Sequence, residues 1–192
     1  MEMDADWFMH NDADEFRYAP DARISLREAF YRVDRAGFNA VDLTYLNFRP
    51  VDDSFVPGKS PEAYLHYFEF PLPDSYYVAI RAWKNLGHNV EVAASGGHDV
   101  GFLGRRVFPY KFLSKHYPIR SQRHGEIKIF SDRLGRFSAR ERNELGWHTH
   151  YDELSRRQSF LWDAGELIRF DERFEREYLI ERLSGIGARP DD

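Results

Sequence analysis

The apolar and polar positions of the chain fall into short runs, and two of them have a clear period. Leu26, Phe30 and Val33 recur at helical spacing, with Gly37 as a natural stop. Ahead of them, Ser25-Leu26-Arg27-Glu28 has the capping-box form: the Ser oxygen and the Glu carboxylate satisfy open amides at a helix start. From Asn39 to Phe48 the chain alternates, Ala40, Asp42 and Thr44 against Val41, Leu43 and Tyr45, which predicts a half-buried strand. Asp6 to Asn11 is short and aromatic and ends in turn-forming residues, so it reads as a buried strand.

The remaining runs are briefer. Tyr18-Ala19-Pro20-Asp21 is a turn, Arg49 to Ser60 a loop, and Ser60-Pro61 opens a short helix, since Pro suits a first helical position. Tyr76 to Trp83, Val90 to Ala94 and Phe112 to Tyr117 are further strands, the first two separated by Lys84-Asn85-Leu86-Gly87. Ser121 is an N-cap for a helix through Ile127, Ile129 and Phe130. Phe160 to Phe170 mixes apolar residues with Gly165, and Asp171 caps a charged helix to Leu183 carrying Phe174, Tyr178 and Leu179. No repeat or linker interrupts this order, which predicts one domain over residues 1–188 and a frayed tail at 189–192.

Composition narrows the class. With 42% hydrophobic and 16% aromatic residues, the 192-residue chain can pack a core. A net charge of −5 argues against a general nucleic-acid binder, whose phosphate contacts want a basic excess. There is no cysteine, hence no disulfide framework and no thiolate metal site. No apolar run reaches the ~20 residues of a membrane span, and Met1-Glu2-Met3-Asp4 lacks the basic start of a signal peptide. The expectation is a cytoplasmic protein without a transmembrane segment.

Candidate chemistry starts at Asp12 and Asp14. Two carboxylates two residues apart at a strand end can close on one hard divalent cation such as Mg²⁺ or Mn²⁺. The turn at Pro118 and the helix start at Ser121 set Arg120 and first-turn amides where an anion can bind, and Lys128 extends the positive surface. Tyr64, Tyr67, Phe68 and Phe70 are either a platform for sugar rings or core aromatics. Gly96-Gly97 marks a tight turn before His98 and Asp99. His148 and His150, near Asp152, have a spacing open to zinc, but no third and fourth ligand follows from the sequence.

The run Asp6-Trp7-Phe8-Met9-His10-Asn11-Asp12-Ala13-Asp14-Glu15-Phe16 resembles the D-x-D block of glycosyltransferases of the GT-A fold, in the broad group of family 2 and its relatives. Ser95-Gly96-Gly97-His98-Asp99 and His116-Tyr117-Pro118-Ile119-Arg120-Ser121 are similar to later blocks of that group, in the same order. The resemblance spans most of residues 4–155 and implies an α/β fold: a mixed, mostly parallel sheet with flanking helices, the later part of a GT-A domain. It implies transfer of a sugar from a nucleotide-sugar donor to a sugar, lipid or protein acceptor, dependent on a divalent ion, Mn²⁺ or Mg²⁺, with inverting chemistry.

In that family Asp12 and Asp14 would hold the ion, with His116 as the third ligand and His98 as its competitor. Arg120, Ser121 and Lys128 would face the departing diphosphate. A carboxylate must take the acceptor's proton. Asp99 is the choice for that base, and Asp53 and Glu69 are rivals. The family's nucleotide-binding units precede the D-x-D block, where this sequence has eleven residues before Asp12. The expectation is therefore an aromatic strand edge at Asp6 to Asn11, open to self-association. Two other classes stand beside the transferase: a catalytically silent sugar-binding or partner-docking fragment, and a metal-dependent hydrolase using Asp12, Asp14, His148 and His150.

Overall fold

A computed structural model describes residues 5–71, 78–87, 89–133 and 159–177. The chain forms two compact units. The first comprises residues 1–47, 70–116 and 171–192, and the second residues 48–69 and 117–170.

Among the described residues seven strands form the sheet: β1 (Trp7–Met9), β2 (Glu15–Tyr18), β3 (Ala40–Arg49), β4 (Tyr67–Glu69), β5 (Ile80–Lys84), β6 (Phe112–His116) and β7 (Ile168–Arg169). Their hydrogen-bonded order is β1-β5-β3-β4-β7, with β6 against β3 and β2 against β6. The pairs β1–β5, β2–β6, β3–β5 and β4–β7 are antiparallel, and β3–β6 is parallel. This overturns the expected mixed, mostly parallel α/β sheet with flanking helices, and with it the partial GT-A domain. A parallel sheet needs a crossover of about a dozen or more residues, usually a helix, at each connection. Among the described residues the helices are few and short, and only α1 (Leu26–Arg35) runs to ten residues.

Helix α1 forms where its spacing predicts. Ser25 Oγ accepts a hydrogen bond from Glu28 N at 3.2 Å, and Gly37, at φ +85°, takes the left-handed turn beyond the end. Ala29 and Val33 are buried against Val41, Leu43, Ala82 and Phe112, with Leu26 and Phe30 at the margin of that core. Phe30 continues the packing through rings, 4.9 Å from Trp7 and 5.3 Å from Phe112 between centroids.

Strand β3 matches the predicted Asn39–Phe48 within a residue, but it is buried on both faces rather than one. Its ladder with β5 has a bulge: Val41 faces Ala82 and Asp42 faces Ile80, so Arg81 is the extra residue. The Asp42 carboxylate holds the bulge by accepting from Leu43 N at 2.7 Å and Ala79 N at 2.8 Å, with Lys111 2.6 Å away on its other oxygen.

The other expectations fare unevenly. β1 is shorter than Asp6–Asn11 and half-exposed, and it stands at the end of the strand order with β5 on its one side. Val90 to Ala94 contributes one isolated bridge, Glu91 to Gly101, rather than a strand. β6 falls inside its predicted run, and β5 overlaps the predicted Tyr76–Trp83 but runs one residue further, to Lys84, while 72–77 lies outside the described residues. In the second unit, Pro61–Ala63 is a single 3₁₀ turn, and α2 (Gln122–Glu126) passes into a π-helical segment, Ile127–Arg133. Phe48 centres that unit's core, its ring 4.7 Å from Tyr117 and 5.7 Å from Phe68. These aromatics include Phe68, so part of the candidate sugar platform is core. A helix over 172–177 is capped by Asp171, whose Oδ1 accepts from Phe174 N at 2.9 Å.

Candidate metal and donor site

The candidate site is built by strand register in the first unit. On β2 and β6, Glu15 lies opposite His116 and Arg17 opposite Ser114. On β6 and β3, Ser114 lies opposite Tyr45 and His116 opposite Asn47. Because strand side chains alternate, these six residues share one face in two rows. One row is Arg17, Ser114 and Tyr45, and the other Glu15, His116 and Asn47. A step along the same face, Leu43 and Phe112 continue into the apolar core beneath α1.

The first row is a buried charge network. Arg17 donates to the Ser114 hydroxyl, to the Glu15 carboxylate, and at 3.0 Å to the Tyr45 hydroxyl. Arg81 arrives from the bulge on β5, 1% exposed, and donates from Nη1 to both Glu15 oxygens at 3.3 and 3.2 Å. Both guanidinium carbons lie over the Tyr45 ring, at 5.1 and 5.5 Å from its centroid. Burial pushes the Tyr45 hydroxyl well above its ordinary range, so it stays a neutral hydrogen-bonding group. Glu15 is thus the buried counter-charge to two arginines.

The second row opens toward solvent at the D-x-D turn. Asp12 and Asp14 lie in the connection between β1 and β2, beyond the strand end. They have different partners. Asp12 Oδ2 receives Arg81 Nη1 at 3.0 Å, whereas Asp14 Oδ1 stands 3.7 Å from His116 Nε2. Burial works to raise the Asp12 carboxyl, but the hydrogen bond and charge of Arg81, helped by His10, hold it below its ordinary value. The turn is clamped internally as well, with Asp12 N donating to Glu15 Oε2 at 3.1 Å and Glu15 N to Asp12 O at 3.2 Å.

His116 has a fixed orientation. Its Nδ1 lies 2.9 Å from Asn47 Oδ1 and its Nε2 faces Asp14; with Nδ1 donating to Asn47, Nε2 can offer its lone pair to a cation. A carboxylate oxygen and an imidazole nitrogen 3.7 Å apart can share one cation bound at about 2.0–2.2 Å by each. The donor set therefore fits a divalent ion with two protein ligands, its other positions left to water or phosphate oxygens. No group of three or more His, Asp or Glu side chains converges in metal-binding geometry among the described residues.

His98, the competing ligand, meets Arg81. Its Nδ1 accepts from Arg81 Nη2, and burial, reinforced by the Arg81 charge, lowers its pKa. Gly97 makes room for His10 beside it: a Cβ there would come 2.5 Å from the His10 ring. Asp99, the candidate base, is ion-paired with Arg105 Nη1 at 2.7 Å, and its amide donates to Ser95 Oγ.

The remaining candidates lie in the second unit. Glu69 takes the Arg49 fork at 2.9 and 2.6 Å, and Asp53 accepts from Gln122 N at 2.9 Å. Ser121 caps α2 as expected, accepting from His124 N at 3.0 Å. Lys128 donates to Pro118 O at 2.7 Å, and Arg120 lies over the Phe55 ring at 6.0 Å. His148, His150 and Asp152, the zinc alternative, lie outside the described residues.

Sequence reasoning passed over Glu15, Arg17, Tyr45, Asn47 and Arg81. One signal was present: Val78-Ala79-Ile80-Arg81-Ala82-Trp83 puts a single charge in an apolar strand run, and such a charge is rarely buried without partners. Comparison with protein-family models, with curated proteins and with solved structures finds no match. No described helix is long and apolar enough to cross a membrane.

Proposed function

We propose that the protein transfers a sugar from a nucleotide-sugar donor to an acceptor hydroxyl, with a divalent cation, Mn²⁺ or Mg²⁺, held by Asp14 and His116. One observation carries the reading. Two residues from separate motif blocks, far apart in sequence, meet at 3.7 Å, with the other imidazole nitrogen held by Asn47. The resemblance that singled them out rests on the motifs and not on the sheet.

The ion would neutralise charge developing on the departing diphosphate. The chain's own part is to hold the two donors. Asn47 sets the imidazole, and the turn clamped through Glu15 and Arg81 presents Asp14. In the transfer itself, the acceptor oxygen bonds to the anomeric carbon, the bond from that carbon to the diphosphate breaks, and the acceptor proton passes to a base. Asp99 remains the candidate for that proton.

Mn²⁺ calorimetry tests the reading. Binding should be lost in Asp14→Asn and in His116→Ala and retained in the double variant His148→Ala, His150→Ala. Mn²⁺-dependent release of nucleoside diphosphate from a nucleotide-sugar panel should follow the same order. Metal binding that survives both single variants and disappears in the double one would sink the transferase site and favour the hydrolase.

A further inference from the structure

Arg81 holds the D-x-D turn at both of its ends. Its backbone carbonyl accepts from His10 N at 2.8 Å, where the chain leaves β1. Its guanidinium reaches Asp12 at 3.0 Å and Glu15 at 3.2 Å, where the chain enters β2, and its second nitrogen closes on His98. Asp14 lies between the two gripped residues, and Glu15 stands opposite His116 in the ladder. Any movement of the fork is therefore felt at the carboxylate that faces His116. Lysine would keep the charge but not the planar fork that serves three partners at once.

We infer that Arg81 is a positioning residue for the cation site: it touches neither the ion nor the donor but fixes the turn so that Asp14 faces His116 Nε2. Its functional meaning rests on the metal reading above, while its structural claim is open to test without metal. The bulge gives the placement a cause. As the extra residue on β5, Arg81 is aimed out of the regular ladder alternation toward the polar face, a known use of bulges beside functional sites.

The test compares Arg81→Lys with wild type and with Arg23→Ala, whose pair with Asp21 is solvent-exposed. In metal-free protein, the ¹⁵N shifts of the His116 imidazole should respond to Asp14→Asn. Arg81→Lys should reproduce that response, and Arg23→Ala should not. Mn²⁺ affinity of Arg81→Lys should fall about 10–100-fold, the range for lost outer-shell support, with the fold intact by circular dichroism. Wild-type imidazole shifts and wild-type Mn²⁺ affinity in Arg81→Lys overturn the inference. Should wild type bind no Mn²⁺, the proposed function fails, and the imidazole shifts alone decide the positioning role. Should Arg81→Lys not fold, the same readings on Asp12→Ala decide, since that change removes one leg of the fork. Unchanged shifts there overturn the inference too.

Discussion

Asn47 and His116 sit opposite one another on neighbouring parallel strands, and the 2.9 Å bond from His116 Nδ1 to Asn47 Oδ1 decides which imidazole nitrogen meets Asp14. Asn47→Ala should leave a part-buried N–H without this acceptor, at a stability cost of about 1 kcal/mol. Mn²⁺ affinity should fall about 10–100-fold as the ring loses its orientation. Thermal melts and calorimetry on one preparation check both. A loss of stability with unchanged affinity would make Asn47 purely structural.

The two carboxylates on Arg81 should behave differently. Glu15 has a side chain 2% exposed, and Glu15→Gln takes the anion from the buried Arg17 guanidinium and leaves Arg81 with Asp12 alone. The expected loss is about 3–5 kcal/mol, as for breaking a buried pair. Asp12 is 51% exposed, and solvent screening limits Asp12→Asn to about 1 kcal/mol or less. Urea denaturation of both variants ranks them. Equal losses would contradict the burial difference.

His98 should leave a signature on the acid side. Burial and Arg81 lower its pKa from 6.5, so the folded state resists the proton that the unfolded chain takes up. The sign follows: the stability that neutral His98 contributes is complete above pH 6.5 and is lost as pH falls through that value toward the lower folded one. His98→Gln should flatten this loss of melting temperature between neutral pH and the folded value. A slope identical to wild type would count against it.

Gly97 and Gly125 each hold a ring at close range, and alanine at either should destabilise the fold. At Gly97 the new Cβ would lie 2.5 Å from His10, on a backbone at φ +85° that suits glycine. At Gly125 it would lie 2.5 Å from Phe160. Overpacking of this kind costs about 1–3 kcal/mol, and a left-handed φ adds to the first. Neutral melts for either variant would show that the ring moves aside freely.

The parts of the fold legible in the sequence were those whose pattern is local. The Ser25–Glu28 box and the Leu26, Phe30, Val33 stripe produced α1, and alternation located β3. β2 was missed because its inward positions are Glu15 and Arg17, which read as surface residues until Arg81, Ser114 and Tyr45 are brought alongside them. β4 and β7, with three and two residues, are too short to carry a period. The parallel sheet was an inference from motif resemblance, and no periodicity supported it. The site divides the same way. Asp14 and His116 were readable as motif members, but their partners depend on register, which a one-residue slip would reverse.

The skipped residue in β5 therefore has a use beyond this molecule. Opposite Val41 and Asp42, the ladder passes over Arg81, and Asp42 secures the irregularity with two backbone hydrogen bonds. Motif letters drift readily, but a strand that spends one residue to bring an arginine under an acidic turn is a geometric fingerprint. A distant relative that has lost the D-x-D spelling would still be recognisable by an aspartate-braced offset and a buried guanidinium. A deletion that regularised β5 would erase the arrangement while leaving every motif in place.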